Sequence, residues 1–448
     1  MIKKICFFLI FIPGLLHAQF TIKGSIKPAS NYTWILLYKL ENGQQTFVDN
    51  AAVANGEFQF KIKESEPSGI YRAYYQIENN LYVEFIYNKE DVNFSFDGND
   101  PKTSILFLSS EENKVYQDYY KNITLKQNEL DALQIDYFKS NDAKADDQLS
   151  KAYQSTLKEL QAVQSRFEIK SQNKLAHHFI KASKQYNAPA PFKNPEEYIA
   201  QVKSHFFDAI DFNDTVLTHS TFVNDRLTDY VLYLNQADNI TSKNLLQKKS
   251  IEKIIPELND HFELLKNFEE TLLQNYMADE NIEMIDFVNN TYYQMLPDSY
   301  QDAALQYKII ALKKTAIGSE AADFSWEENG VNKNLHSLIG FDYYIIAFFS
   351  ATCPHCQIEM PEFHTFIKDI ENIRVVAVGL EDEKEPWVKM TSDFSEFTNI
   401  LDLDKWQSQK VKDYGLTEIP SFFVLDANKN ILAKPNDVEE LRSMFQAK

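Results

Sequence analysis

Two cysteines, Cys353 and Cys356, stand three residues apart in the stretch Ser-Ala-Thr-Cys-Pro-His-Cys. Ahead of them the apolar run Tyr343–Phe349 reads as a strand buried on both faces. A helix opening at Cys353 puts residues i and i+3 on one face, so the two sulfurs can bond without movement of the backbone. The free N–H groups and positive dipole end of such a helix favour a thiolate on Cys353. Pro354 suits the first helical position, where no N–H is needed. These are the requirements of a redox-active pair.

The rest of the cysteine usage points the same way. The chain has 3 Cys, and the third, Cys6, lies inside an N-terminal apolar run, Ile5 to Leu16, preceded by Lys3 and Lys4 and closed by Ala18. That segment has the form of a secretory signal peptide rather than a membrane span, which predicts an exported, periplasmic or cell-envelope protein. An exported chain of 448 residues with one remaining cysteine pair holds its fold by packing. A structural zinc site wants four ligands, usually two such pairs, so the lone pair favours chemistry over stapling. With 45 basic against 65 acidic residues and a net charge of −20, the surface repels nucleic acid and anionic membranes.

Three globular regions follow the expected signal peptide at 1–18. Over 19–100 the apolar period is two, at Phe20, Ile22 and Ile26, at Phe58, Phe60 and Ile62, and at Val92, Phe94 and Phe96. Strand-like runs Trp34–Leu40, Ile70–Ile77 and Leu81–Tyr87 lie between, with turn pairs Asn42-Gly43, Asn55-Gly56 and Asp97-Gly98. An antiparallel β-sandwich is expected there. Over 101–315 the period becomes helical, as in Leu149, Tyr153, Leu157, Leu160, Val163 and Phe167, again at Phe222, Leu227, Tyr230, Val231 and Leu234, and at Phe262, Leu265, Phe268 and Leu272. Breaks fall at Asn194-Pro195 and Leu296-Pro297. A scaffold or a homodimerisation surface is the default for this region. His177 and His178 are adjacent and point to different faces, a poor start for a metal site.

Over 316–448 the pattern is α/β: the strand into the cysteines, a buried strand at Arg374–Val378, a helix near Trp387, Asn399–Leu403, a short helix ending at Gly415, Phe422–Leu425, Ile431–Ala433, and a last amphipathic helix from Val438 to Phe445. Here the chain resembles the thioredoxin superfamily, specifically the exported TlpA/ResA-like thiol–disulfide oxidoreductases. The resemblance covers Gly318 to Lys448. It rests on Gly318–Phe324 as an entry strand with Ala322 where proline is usual, on the strand into Cys-x-x-Cys, and on the continuation Cys356, Glu359, Pro361. The Ile419-Pro420-Ser421 loop and the Phe422–Ile431 strand–turn–strand complete it. The preceding β-rich region is similar to a module that often precedes such domains in Gram-negative envelope proteins.

The resemblance implies roles. Cys353 attacks a substrate disulfide and Cys356 resolves the mixed disulfide. Glu359, one turn beyond Cys356, is placed to move a proton for the resolving thiol. Pro420 is implied to be cis, in a loop that pairs with substrate beside the sulfurs. His355, when charged, would stabilise the Cys353 thiolate. His364 and Trp387 read as packing. Three departures bear on direction: Thr352 replaces the usual tryptophan, Ala347 stands where thioredoxin carries a buried acid, and Cys-Pro-His-Cys is the dipeptide of the oxidising DsbA proteins. The implied partners are protein thiols and disulfides and an upstream envelope redox partner, with no cofactor, no resident metal and no stable membrane insertion. Two other classes stay open: a copper-handling module, and an envelope binding protein whose redox domain is secondary.

Overall fold

The computed structural model describes residues 19–446 except 30, 42, 43 and 329. The expected signal segment, the turn pair Asn42-Gly43 and Asn329 lie outside the described residues. The chain forms two compact units, Met1–Thr271 and Leu272–Lys448. The division falls within the region read as helical. Its last helices, Ile282–Thr291 and Ala303–Lys314, cluster with the C-terminal unit.

The first unit opens with eight strands: β1 (Gln19–Lys27), β2 (Trp34–Glu41), β3 (Gln44–Ala52), β4 (Glu57–Lys63), β5 (Gly69–Gln76), β6 (Leu81–Tyr87), β7 (Val92–Asp97) and the two-residue β8 (Leu106–Phe107). They form two four-stranded sheets, ordered β4-β1-β7-β8 and β3-β2-β5-β6. The period-two residues fill the space between them, with Ile22, Phe60, Ala73, Phe85, Val92 and Phe94 in one core. Strand β4 alternates strictly, its Phe58, Phe60 and Ile62 inward and its charged residues outward. Asn55 and Gly56 both take positive φ, 54° and 80°, as a tight primed hairpin turn requires. One pairing departs from the antiparallel expectation: β1 runs parallel to β7, with Ile22 opposite Val92. The two strands are separated by most of the module, so no tight hairpin constrains their relative direction.

The helices Glu111–Lys139 and Ala143–Lys170 follow and pack on each other through Leu130, Tyr153, Leu157 and Leu160. Asp142 caps the second, accepting from the N–H groups of Lys144 and Ala145. Asn113 ties the first helix to the sandwich by bonding both the N–H and the carbonyl of Ile86, at 2.8 and 2.7 Å. Further on, Asn194 caps a helix whose first residue is Pro195, so the sequence break there is a helix start. His177 bonds Ser171 at 3.1 Å and His178 bonds Asp214 at 2.6 Å, so the adjacent histidines do diverge.

In the second unit the ribbon β9 (Ser325–Glu328) and β10 (Val331–Asn334) precedes a five-stranded sheet of β11 (Tyr343–Phe349), β12 (Ile373–Leu380), β13 (Thr398–Asp402), β14 (Ser421–Asp426) and β15 (Ile431–Ala433). Its order is β13-β12-β11-β14-β15, the first three parallel and the last two antiparallel to their neighbours. Alternate residues of the central strand supply two cores. Tyr344, Ile346 and Phe348 pack with Phe324, Trp326 and Tyr414, whereas Ile345, Ala347 and Phe349 pack with Met360, Phe363 and Leu441. Coverage on both faces is the reason this strand has no polar residue. The expected entry strand at Gly318–Phe324 is reduced to an isolated bridge, Glu320 to Asn430, and regular pairing begins only at Ser325.

Candidate active site

The site lies where β11 ends and the helix Pro354–Ile367 begins. Cys353 is the N-terminal flanking residue of that helix, with extended φ and ψ of −79° and 122°, and Pro354 is its first helical residue. Cys353 is partly exposed, and Cys356, one turn inside, is completely buried among Met360, Phe363 and Phe349. Both are free thiols. Burial pushes the Cys353 thiol up, but the backbone N–H of Cys356, the Cys356 thiol and the N–H of His355 outweigh it, so its pKa falls below the ordinary cysteine value. Burial dominates at Cys356 and pushes it up to about 12, with the Cys353 sulfur and Glu381 adding to the rise. The structure thus pairs an accessible, acidified sulfur with a buried, protonated one.

The loop before β14 faces this pair. The Ile419–Pro420 bond is cis, and the Ile419 carbonyl oxygen lies 3.9 Å from Cys353 Sγ. Of the residues singled out in the sequence, Cys353, Cys356 and this loop come together directly. His355 sits on the outer surface of the first helical turn, its side chain 65% exposed and its Nε2 3.6 Å from Glu359 Oε1. Glu359 is committed elsewhere than to a thiol. Its Oε2 accepts from the N–H of Val438 at 3.0 Å, at the start of the helix Val438–Gln446. That position is one of the unsatisfied N–H groups of a helix N-terminus, where a carboxylate is favoured. His364 packs against Phe394 and Phe397 and contacts Glu396, and Trp387 lies over Gly379, both packing positions.

One acidic residue beside the cysteines was not apparent in the sequence. Glu381, 1% exposed, follows β12, and the register that sets Phe349 opposite Gly379 brings it beside the turn Ser350-Ala351-Thr352. Its carboxylate accepts from the Ser350 hydroxyl at 3.0 Å and from the Ala351 N–H. In the sequence it opens the charged run Glu-Asp-Glu-Lys-Glu, which reads as a solvated loop. The available signal was positional: it is the first residue beyond a buried parallel strand, at the strand end where sites of such sheets gather. Among the described residues no group of three or more His, Cys, Asp or Glu side chains is placed to hold a metal ion.

Residues 340–431 match a family described as thioredoxin-like, and residues 20–136 match a family described as a domain of unknown function, DUF4369. No curated protein matches the chain. Among solved structures, a thioredoxin-like protein from Bacteroides caccae is 18% identical, with 59% of this chain and 98% of that one covered and a TM-score of 0.42. The thioredoxin domain of a thiol-disulfide oxidoreductase from Bacteroides vulgatus is 20% identical over 30% of this chain and 96% of that one, TM-score 0.27. A putative thiol:disulfide interchange protein DsbE from Chlorobium tepidum is 24% identical over 29% and 96%, TM-score 0.26. The family match and the sheet order together make the C-terminal domain thioredoxin-like.

Proposed function

We propose that the thioredoxin-like domain is a thiol–disulfide oxidoreductase acting on protein thiols and disulfides, with Cys353 as nucleophile and Cys356 as resolving thiol. The observation that carries this reading is the split between the two sulfurs, one accessible with a depressed pKa and one buried with its pKa raised to about 12. The Cys353 thiolate attacks one sulfur of a substrate disulfide, and the other substrate sulfur leaves as a thiolate and takes up a proton. Cys356 then loses its proton and attacks Cys353, expelling the first substrate sulfur. The protein ends as a disulfide and the substrate as a dithiol, two electrons having passed to the substrate. Run backwards, the same steps oxidise the substrate.

Substrate backbone is read as pairing with the Pro420 loop, whose Ile419 carbonyl already approaches Cys353. The dipeptide Pro354-His355 supports a potential above that of thioredoxin, since anything that stabilises the reduced thiolate makes the disulfide a stronger oxidant. The cell envelope is the proposed setting, on the strength of Lys3, Lys4, the apolar run Ile5–Leu16 and Ala18. Among the described residues no helix is long and apolar enough to cross a membrane. An upstream redox partner there would reset the pair, and the helical region would serve self-association.

Equilibration of the full chain in glutathione buffers, followed by acid trapping, tests the central claim. A Cys353–Cys356 disulfide should form and reduce reversibly, and Cys356→Ser should accumulate mixed disulfides with a disulfide-bonded peptide whereas Cys353→Ser should not. Faster alkylation of Cys356 than of Cys353 in reduced protein would reverse the assignment.

A further inference from the structure

We propose that Glu381 is a positioning residue of the redox pair, its carboxylate fixing the Ser350–Thr352 turn that leads into Cys353. The inference rests on the reading of Cys353 and Cys356 as a redox pair and adds to it a residue from a different strand.

Glu381 Oε2 accepts from the Ser350 hydroxyl and Oε1 from the Ala351 N–H, so both oxygens are spent on the turn. The Ser350 hydroxyl oxygen lies 3.0 Å from that of Thr352 and accepts from the Thr352 N–H at 3.3 Å. The Ser350 carbonyl accepts from the N–H of Cys353 at 3.2 Å, and the Ala351 carbonyl accepts from Gln357 Nε2 at 2.8 Å. The Ser350 backbone also favours the Cys356 thiolate, against the larger effect of burial. The turn that leads into Cys353 is therefore anchored on Glu381 through both carboxylate oxygens.

The anchor is itself held. The Glu381 N–H donates to the Asp402 carbonyl at 2.9 Å, and Ser350 is 2% exposed. Other charged groups near it are engaged elsewhere. The Asp402 carboxylate bonds Ser408 at 2.7 Å and Lys410 at 2.8 Å, and Asp382 pairs with Lys405 at the surface. A buried carboxylate without a cation bonded to it opposes a second negative charge close by, and Glu381 acts on Cys356 in that sense. Two effects of one side chain thus bear on the resolving thiol: it orders the Ser350 backbone that favours the thiolate, and its own charge disfavours it. Burial holds Cys356 as a thiol, and Glu381 adds to that, until Cys353 carries the substrate sulfur; the new Cys353–Cys356 bond then forms as the Cys353–substrate bond breaks.

The test compares Glu381→Gln, Glu381→Asp and, as a control one residue away, Asp382→Asn in the full chain. Glu381→Gln keeps the shape and removes the charge. In a Cys353→Ser background it should speed iodoacetamide alkylation of Cys356 at least three-fold at a single pH. In the parent background it should change the equilibrium constant with glutathione at least three-fold. Glu381→Asp should recover part of both changes, and Asp382→Asn should match the parent. If Glu381→Gln matches the parent in both readouts and only lowers the melting temperature, Glu381 is structural and the proposal is overturned. Should Glu381→Gln not fold, Ser350→Ala, which removes one of the two anchoring bonds and leaves the charge in place, should slow the alkylation of Cys356 at least three-fold and change the glutathione equilibrium constant at least three-fold, and a variant that matches the parent in both overturns the proposal. A parent chain that forms no Cys353–Cys356 disulfide in glutathione would instead overturn the redox reading and this inference with it, a result distinct from an unaltered variant.

Discussion

His355 is the exposed residue between the two cysteines. Its backbone N–H already helps to depress the Cys353 pKa. Its side chain is exposed and shared with Glu359, so solvent and a carboxylate both weaken what the imidazolium adds. The local dipole and N–H groups should therefore carry most of the thiolate stabilisation, with the side chain as a smaller increment. Replacing His355 with alanine retains the N–H and is expected to lower the reduction potential by about 10 to 30 mV, tenfold in the equilibrium constant being about 30 mV. A glutathione titration of the variant against the parent measures this, together with the accompanying rise in the Cys353 pKa.

At the scale of elements, two positions give sharp expectations. Gly379 lies in β12 with the Trp387 ring packed directly over it, so a Cβ there would collide with the indole. Gly379→Ala should cost about 1 to 3 kcal/mol in denaturant unfolding, as overpacked cores do, and should disturb the strand end that carries Glu381. The second position is Glu269, in the helix Phe262–Ala278. It is fully buried, neither carboxylate oxygen has a hydrogen-bond partner, and burial, with Glu270 adding, pushes its pKa up to about 8. A folded-state pKa above the unfolded one means that the native state binds more protons between about pH 4.5 and 8. Stability must then fall as pH rises through that window, at up to about 1.4 kcal/mol per pH unit from this group. Glu269→Gln should flatten that slope when unfolding is compared at pH 5 and pH 8.

The same elements show what the sequence could and could not disclose. Strands with one face in a core were legible because apolar residues alternate, as in Glu57–Lys63, and β11 was legible because two-sided burial leaves an unbroken apolar run. Strand β3 was not, since Gln44–Ala52 is largely exposed and carries no alternation to read. The parallel pairing of β1 and β7 depends on contacts distant in the chain, which a local period cannot encode. At the site, spacing disclosed the thiols and motif disclosed Pro420. Glu359 sits on the expected helix but faces Val438, a partner 79 residues away, and Glu381 became visible only once strand register put it beside Ser350.

For the molecule as a whole, a net charge of −20 sets a field that a partner must cross before any sulfur is reached. Steering of this kind acts on encounter rates and is screened over about 10 Å at 0.1 M salt. Mixed-disulfide formation with a basic disulfide peptide should therefore slow as ionic strength rises, and with an acidic peptide it should quicken. Stopped-flow rates at 20 and 300 mM salt would separate the two slopes.

The central strand β11 has a consequence for how the domain opens. From Tyr344 to Phe349 every side chain is fully buried, and the strand is hydrogen-bonded on one edge to β12 and on the other to β14. Its amides can meet solvent deuterons only when the sheet itself comes apart, so they should be among the slowest to exchange and should report global unfolding. The turn that bears the cysteines is rooted in this strand. If Cys353 is the proposed nucleophile, the bonds made and broken there are rooted in the most persistent part of the domain, and loosening around the sulfurs should leave the exchange of β11 untouched.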